Sequence, residues 1–236
     1  MVSNEILRNI LLMLFCYVYV VFIIVVTSKM NRICHISQKA ARKFLHAMIG
    51  NLPFIIPFFT SKVYPVLVAA PFIVITFFAS PYSPSKFVSS RLKSLTALTE
   101  EGHHLGLVFY AISYTILALF FASKPYVLAA GILSMAYGDG TAALVGERYG
   151  KRRYKLVADK SIEGTTGMFC ASFLSFIIYL IFFSKFYFFS VIDLLLPTIA
   201  TATVVTLVES LSPPGGDNLT VPIAGALTFL VLTGGL

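Results

Sequence analysis

The chain is poor in charge. Only 12% of its 236 residues are Asp, Glu, Lys or Arg, against 58% hydrophobic. A soluble domain of that length needs far more polar surface to stay in solution. Acidic residues are the scarcer kind, 10 against 18 basic ones, for a formal charge of +8. This excess does not point to nucleic acid as a partner, because the basic residues sit between apolar runs and not along one soluble face. A positive-inside bias or a phosphate-bearing substrate accounts for them better. Cysteine is nearly missing: Cys16, Cys34 and Cys170 are odd in number and lack metal-ligand spacing, which argues against a disulfide scaffold or a zinc site. Internal repeats are missing as well, so nothing indicates a duplicated transporter. Gly146-Glu-Arg-Tyr-Gly150-Lys151-Arg152 is one residue short of a P-loop and lacks its Ser/Thr. Gly138-Asp-Gly140 is not followed by the third glycine of a dinucleotide fingerprint. The first apolar run has no small-residue cleavage site behind it. Arg8 precedes it and Lys29 and Arg32 follow, the flanks of an uncleaved span with its N-terminus outside.

What the chain has is apolar runs near the roughly 20 residues that a membrane-crossing helix needs. They fall at 7–27, 44–60, 63–80, 105–123, 125–146, 163–184, 187–208 and 219–236. The expected fold is therefore all-α, a polytopic bundle of about eight transmembrane helices forming a single transmembrane domain over 1–236. Long polar segments at 28–43, 81–104, 147–162 and 209–218 alternate with tight connections near 61–62, 124 and 185. The first three long segments carry 14 of the 18 Lys and Arg; Arg8, Lys62, Lys124 and Lys185 are spread over the other side. The positive-inside rule then places every long segment in the cytoplasm and both termini outside. Within 81–104, Val88, Leu92, Leu95 and Thr99 recur at helical spacing beside Lys86, Arg91 and Lys93. That pattern fits a short amphipathic helix on the membrane surface, or equally a solvated loop. His103-His104 reads as a solvated pair, since adjacent helical side chains diverge.

Candidate chemistry concentrates in 135–165. Asp139 lies inside the fifth run, about 10 Å short of its cytoplasmic exit at 1.5 Å per residue. A carboxylate at that depth is costly unless it is paired, metal-bound or in a watery cavity, so a functional role is the default reading over a structural hydrogen bond. Gly138 and Gly140 beside it permit close approach of a backbone or a ligand. Lys160-Ser161-Ile-Glu163-Gly164 opens the sixth run; a helix N-terminus with a lysine is an anion site, or Ser161 is simply its N-cap. Glu209 closes the seventh run, and Pro213-Pro-Gly-Gly leads to Asp217 and Asn218, which cap the last helix or face a ligand. The topology gathers Asp139, Glu163, Glu209 and Asp217 at the cytoplasmic helix ends, with Arg42, Lys43 and His46. Carboxylates that hold Mg²⁺ beside cations that hold phosphates are the parts of a phosphoryl- or nucleotidyl-transfer site.

These residues resemble the CTP-dependent lipid kinase family that includes dolichol kinase, phytol kinase and a yeast-type diacylglycerol kinase. Three blocks carry the likeness: Arg42-Lys43-Phe-Leu-His46 with Gly50; Gly138-Asp139-Gly-Thr-Ala-Ala-Leu-Val-Gly146 through Lys160-Ser-Ile-Glu163-Gly164; and Glu209 with Asp217-Asn218-Leu-Thr-Val-Pro222. The resemblance implies transfer of the CTP γ-phosphate, with Mg²⁺, to a membrane-embedded isoprenoid alcohol of the dolichol, polyprenol or phytol type at the cytoplasmic face. Asp139, Lys160, Glu163 and Glu209 are then the expected catalytic residues, with Asp139 and Asp217 as metal ligands. Arg42, Lys43, His46, Gly138, Gly140, Lys160, Ser161, Gly164 and Asn218 are the expected nucleotide and phosphate contacts. Phosphatidate cytidylyltransferase is a distant second likeness. Its C-terminal basic pairs have no counterpart here, since no Lys or Arg follows Lys185. A small transporter is a further alternative, but it would carry charge through mid-membrane to the far side.

Overall fold

Runs of Leu, Ile, Val, Phe and Ala with few breakers form helices wherever backbone groups have no water to bond. In the computed structural model, which describes residues 2–34, 37–96 and 104–234, they do so almost throughout. The helices are α1 (Val2–Cys34), α2 (Gln38–Ile49), α3 (Val63–Ala79), α4 (Lys86–Arg91), α5 (Lys93–Thr96), α6 (Gly106–Phe121), α7 (Pro125–Leu133), α8 (Gly140–Tyr149), α9 (Ile162–Phe183), α10 (Leu195–Leu211) and α11 (Asp217–Thr233). The all-α expectation holds. Among the described residues, three helical stretches are long and apolar enough to cross a membrane: Asn4–Met30, Pro125–Tyr149 and Ile162–Phe183. Val63–Ala79, Gly106–Phe121, Leu195–Leu211 and Asp217–Thr233 are apolar but shorter.

Several boundaries depart from the sequence reading. The run 44–60 is not one helix: α2 starts upstream at Gln38, capped by the Ser37 side chain, and ends at Ile49. A 3₁₀ segment, Leu52–Phe58, follows. Pro53 and Pro57 lack the N–H groups that an α-helix requires, so the run breaks there. The run 187–208 begins as helix only at Leu195. Its first residues are apolar because they pack as a turn: Tyr187 and Phe189 lie 5.3 and 5.7 Å, ring to ring, from Tyr126. In 81–96 two short helices, α4 and α5, meet at Leu92, and Leu95 is buried with Ile23, Ala41, Leu45 and Leu107. Thr99 and His103 lie outside the described residues. The basic segment 147–162 holds an antiparallel hairpin, β1 (Arg153–Lys155) on β2 (Asp159–Ser161).

The centre of the bundle is the continuous helix Pro125–Tyr149. Pro125 starts it at the position where a missing N–H costs nothing. Between α7 and α8, residues Ser134–Asp139 wind as a π-helix. Small residues let its neighbours close in. A Cβ on Gly131 would collide with the Pro222 carbonyl of α11, one on Gly50 with Ala136, and one on Gly138 with Ser172 and Met168 of α9. Around this helix lies one large apolar core that includes Val127, Leu128, Ile132, Met135, Phe176, Tyr179 and Phe229.

This packing predicts opposite outcomes at two glycines of one helix. Gly131→Ala should lower stability by about 1–3 kcal/mol through overpacking, read as a lower melting temperature in detergent. Gly140→Ala should leave the melting temperature unchanged, because a Cβ there meets nothing within 4 Å.

Candidate active site

Asp139 closes the π-helical segment at the middle of the central helix and is only 4% exposed. Its partner comes from α2, where Arg42, Lys43 and His46 are all buried. The Lys43 ammonium forms an ion pair with Asp139 Oδ2. That pairing explains why α2 has to begin before the apolar run: Lys43 belongs to its interior, on the side that meets the π-helix. His46 packs its ring 4.7 Å from that of Tyr110.

A second ion pair lies across the same space. Lys160, on β2, donates to both the carboxylate and the backbone carbonyl of Glu209 at the end of α10. Only Oε1 of Glu209 takes part; Oε2 is buried and has no hydrogen-bond partner among the described residues. Asp217 faces this group from the first turn of α11. Its approach is fixed by the turn Pro213–Gly216, in which Gly215 takes φ 79°, a left-handed conformation that suits glycine.

Between these side chains is a polar cavity of about 470 Å³. Arg42, Lys43, Asp139, Lys160, Ser161, Gly164, Glu209 and Asp217 line it, so eight expected site residues from six elements converge. Arg42, Lys43, Asp139, Glu209 and Asp217 are also, with His46, the acidic and basic side chains buried among the described residues. No comparable group of the described residues lies elsewhere in the core, and a one-ended cluster of this kind suits chemistry better than a path across the bundle.

Five expected site residues, Glu163, Asn218, Gly138, His46 and Gly140, are not on the cavity wall. Glu163 accepts hydrogen bonds from the backbone N–H groups of Lys151 (3.1 Å) and Arg152 (3.3 Å), which closes the base of the hairpin. The Asn218 amide donates to the Gly106 carbonyl at 3.1 Å and ties α11 to α6. Gly138 serves the α9 packing described above. His46 stands behind Lys43 on α2, against Tyr110. Ser161 does cap α9, accepting from the Gly164 N–H at 3.1 Å, and it lines the cavity as well. Gly140, buried, has open space where a side chain would project. Residues that the sequence reading missed include Arg153, Asp159, Thr165, Ser212 and, on α8, Glu147, all of them on the cavity wall. For the hairpin residues the trace in the sequence, Arg153-Tyr-Lys155 and Asp159-Lys-Ser161 on either side of an apolar tip, is too short and too charged to read as strands.

Among the described residues no three Asp, Glu, His or Cys side chains are grouped closely enough to enclose a metal ion by themselves. Mg²⁺ does not require that, because it is commonly held by one or two carboxylates together with phosphate oxygens and water. The uncommitted Oε2 of Glu209 and the neighbouring Asp217 fit such a shared site.

No family model matches the chain, and no solved structure does. Curated relatives do. A phytol kinase of Synechocystis sp. is 44% identical over 145 residues, 59% of this chain and 60% of the relative. A chloroplastic farnesol kinase of Arabidopsis thaliana is 30% identical over 217 residues, 83% of this chain and 66% of the relative. A probable chloroplastic phytol kinase of Oryza sativa subsp. japonica is 31% identical over 205 residues, covering 81% and 67%. The chain thus spans about two thirds or less of the length of the relatives it matches.

The buried pair makes a prediction of its own. Lys43→Met should destabilise the protein by about 3–5 kcal/mol, because it leaves Asp139 charged and alone in the core. Adding Asp139→Asn should recover much of that loss. Melting temperatures of the two single variants and the double variant give the coupling; strictly additive effects would show that the pair does not hold the helices together.

Proposed function

The chain belongs to the phytol and farnesol kinase family, and from that premise we propose that it transfers the γ-phosphate of CTP to a membrane-embedded isoprenoid alcohol. The observation that carries this reading is the cavity in which Asp139, Glu209 and Asp217 face Lys43, Lys160 and Arg42 at one end of an apolar bundle. A long alcohol can remain among lipid tails while its hydroxyl reaches such a cavity. Phosphoryl transfer then asks the protein mainly for positioning and charge neutralisation.

In this reading Oδ1 of Asp139 accepts the hydroxyl proton as the alcohol oxygen bonds to the γ-phosphorus and the bridge to CDP breaks. Lys43, with its ammonium at Oδ2, holds the carboxylate oriented toward the substrate. Lys160, Arg42 and Arg153 bind phosphate oxygens. Glu209 through Oε2, with Asp217, would hold Mg²⁺, which when bound neutralises charge on the transferring group. Glu163 acts indirectly, by fixing the hairpin.

The chain is read as one transmembrane unit of eight crossings: α1, α2 with its 3₁₀ continuation, α3, α6, the α7–α8 helix, α9, α10 and α11. The cavity wall draws on the two segments richest in Lys and Arg, 28–43 and 147–162, which supports a cytoplasmic site. Single cysteines at Arg153 and Lys185 in a Cys-free chain should then react with an impermeant thiol reagent from opposite sides. Labelling from one side alone would overturn the arrangement.

The transfer itself is tested with CTP labelled in parallel at the α and γ positions, with phytol, farnesol, a polyprenol and phosphatidate as acceptors. Label should move from the γ position to an isoprenoid alcohol; transfer from the α position to phosphatidate would make the enzyme a cytidylyltransferase. Asp139→Asn should lower turnover by at least ~10²-fold, the low end of what one general acid/base group supplies, while Asp193→Asn, on an exposed turn, should change little. Folded Asp139→Asn protein with wild-type turnover would remove Asp139 from the reaction.

A further inference from the structure

The hairpin is a part of the cavity wall that does not belong to the helical bundle. Arg153, Ala158, Asp159, Lys160 and Ser161 all line the cavity from it, yet its strands are only three residues long. Two strands of that length are at most marginally stable on their own in water, so the hairpin has to be held by contacts to its surroundings. One set is at its base: Glu163 on the Lys151 and Arg152 N–H groups, and the Ile162 N–H on the Arg152 carbonyl at 2.9 Å. The other is at mid-strand. The Tyr154 hydroxyl lies 2.6 Å from Thr165 Oγ1 of α9 and 2.9 Å from Ser210 Oγ of α10. Tyr154 is the cross-strand partner of Lys160, and Lys160 reaches Glu209, the residue next to Ser210. The paired side chains thus dock on adjacent residues of one helix end.

This arrangement is more than packing. Arg153 precedes Tyr154, lines the cavity and, among the described residues, has an exposed 3.7 Å pair with Asp159 as its other anchor. The bond of Tyr154 to two helices therefore sets where both Arg153 and Lys160 stand over the cavity. Ser210 is itself committed, donating to the Thr206 carbonyl at 3.0 Å, so its oxygen can accept from the phenol; the Tyr154 proton then fixes the ring to α10 while Thr165 donates in turn.

We propose that Tyr154 is a positioning residue for the nucleotide phosphates: its hydroxyl latches the β1–β2 hairpin onto α9 and α10 and holds Arg153 and Lys160 at the phosphate-binding wall. The inference rests on the CTP-dependent reading above and adds to it a residue that touches neither substrate. The latch acts on the nucleotide and not on the alcohol, because the hairpin carries phosphate-binding cations and no part of the apolar core.

Tyr154→Phe removes one oxygen and keeps the ring. Steady-state kinetics of the chain in detergent, with CTP and phytol varied separately, should show KM for CTP raised about tenfold, as expected when a hydrogen-bonded anchor is lost from a binding wall. The turnover number and KM for phytol should stay within about twofold. Trypsin should also cut faster within 151–155, where Lys151, Arg152, Arg153 and Lys155 are exposed. An unchanged KM for CTP in a variant that folds overturns the inference, as does a loss confined to turnover. Should Tyr154→Phe fail to fold, Ser210→Ala removes one of the two bonds from the helix side, and a rise in KM for CTP of more than about twofold, with turnover unchanged, is required of it. Wild-type protein that does not use CTP refutes the functional reading itself, whereas active wild-type protein with an indifferent Tyr154→Phe variant refutes the latch alone.

Discussion

A carboxylate buried within an apolar helix needs a partner, and much of the architecture follows from supplying one to Asp139. Removing its charge from water costs several kcal/mol, which attraction repays only when the partner is close and well placed. The partner is Lys43, 96 positions earlier in the chain. For that ammonium to arrive, α2 has to start within the basic segment and pass close to the central helix, and Gly50 at its end provides the room against Ala136. An α2 confined to the apolar run would have left Lys43 outside the helix and Asp139 alone.

The π-helical turn answers the same constraint from the other side. Widening one turn changes which side chains of a helix face a given neighbour, and such turns are frequent at functional sites. Here Ser134–Asp139 is the widened stretch, so Asp139 faces the cavity while Met135 and Ala136 stay fully buried before it. The irregular backbone is tolerated because it is enclosed: Gly138 lets α9 approach through Met168 and Ser172, and Gly131 and Gly225 bring α11 onto α7. The same close contacts set the distance from Asp139 to Glu209 and Asp217, which arrive on α10 and α11.

Convergence of the site was legible in the sequence, because alternating long basic and tight connections put Asp139, Lys160, Glu209 and Asp217 at one end of the helices. Helix boundaries were less legible. Apolarity marks burial and not helix, so the aromatic turn before Leu195 reads like the start of a span, and the prolines at 53 and 57 interrupt a run that hydropathy treats as continuous. The hairpin was illegible for a different reason. Its strands are too short and too charged to stand out by alternation, and it depends on tertiary contacts through Tyr154 and Glu163. That dependence also explains why Glu163, expected among the reacting groups, bonds to backbone N–H groups instead. A conspicuous acid at a helix start can serve the loop beside it.

Both lysines on the cavity wall are already paired with carboxylates, which at first sight leaves nothing for the phosphate of the proposed reaction. The cavity's formal charge resolves the difficulty. Its walls carry five carboxylates, Asp139, Glu147, Asp159, Glu209 and Asp217, against four cations, Arg42, Lys43, Arg153 and Lys160. A bare triphosphate entering such a space adds repulsion with each lysine it draws off, because the carboxylate left behind is desolvated and unpaired. Accompanied by a divalent cation it need not, since a carboxylate that loses its lysine can turn to the metal while the lysine turns to phosphate. In the proposed reaction Glu209 would serve this exchange: Oε1 holds Lys160, and Oε2 has no partner among the described residues. The ion pairs therefore keep the cavity near neutrality when it is empty, and in the proposed reaction they favour nucleotide and metal entering together over either one alone.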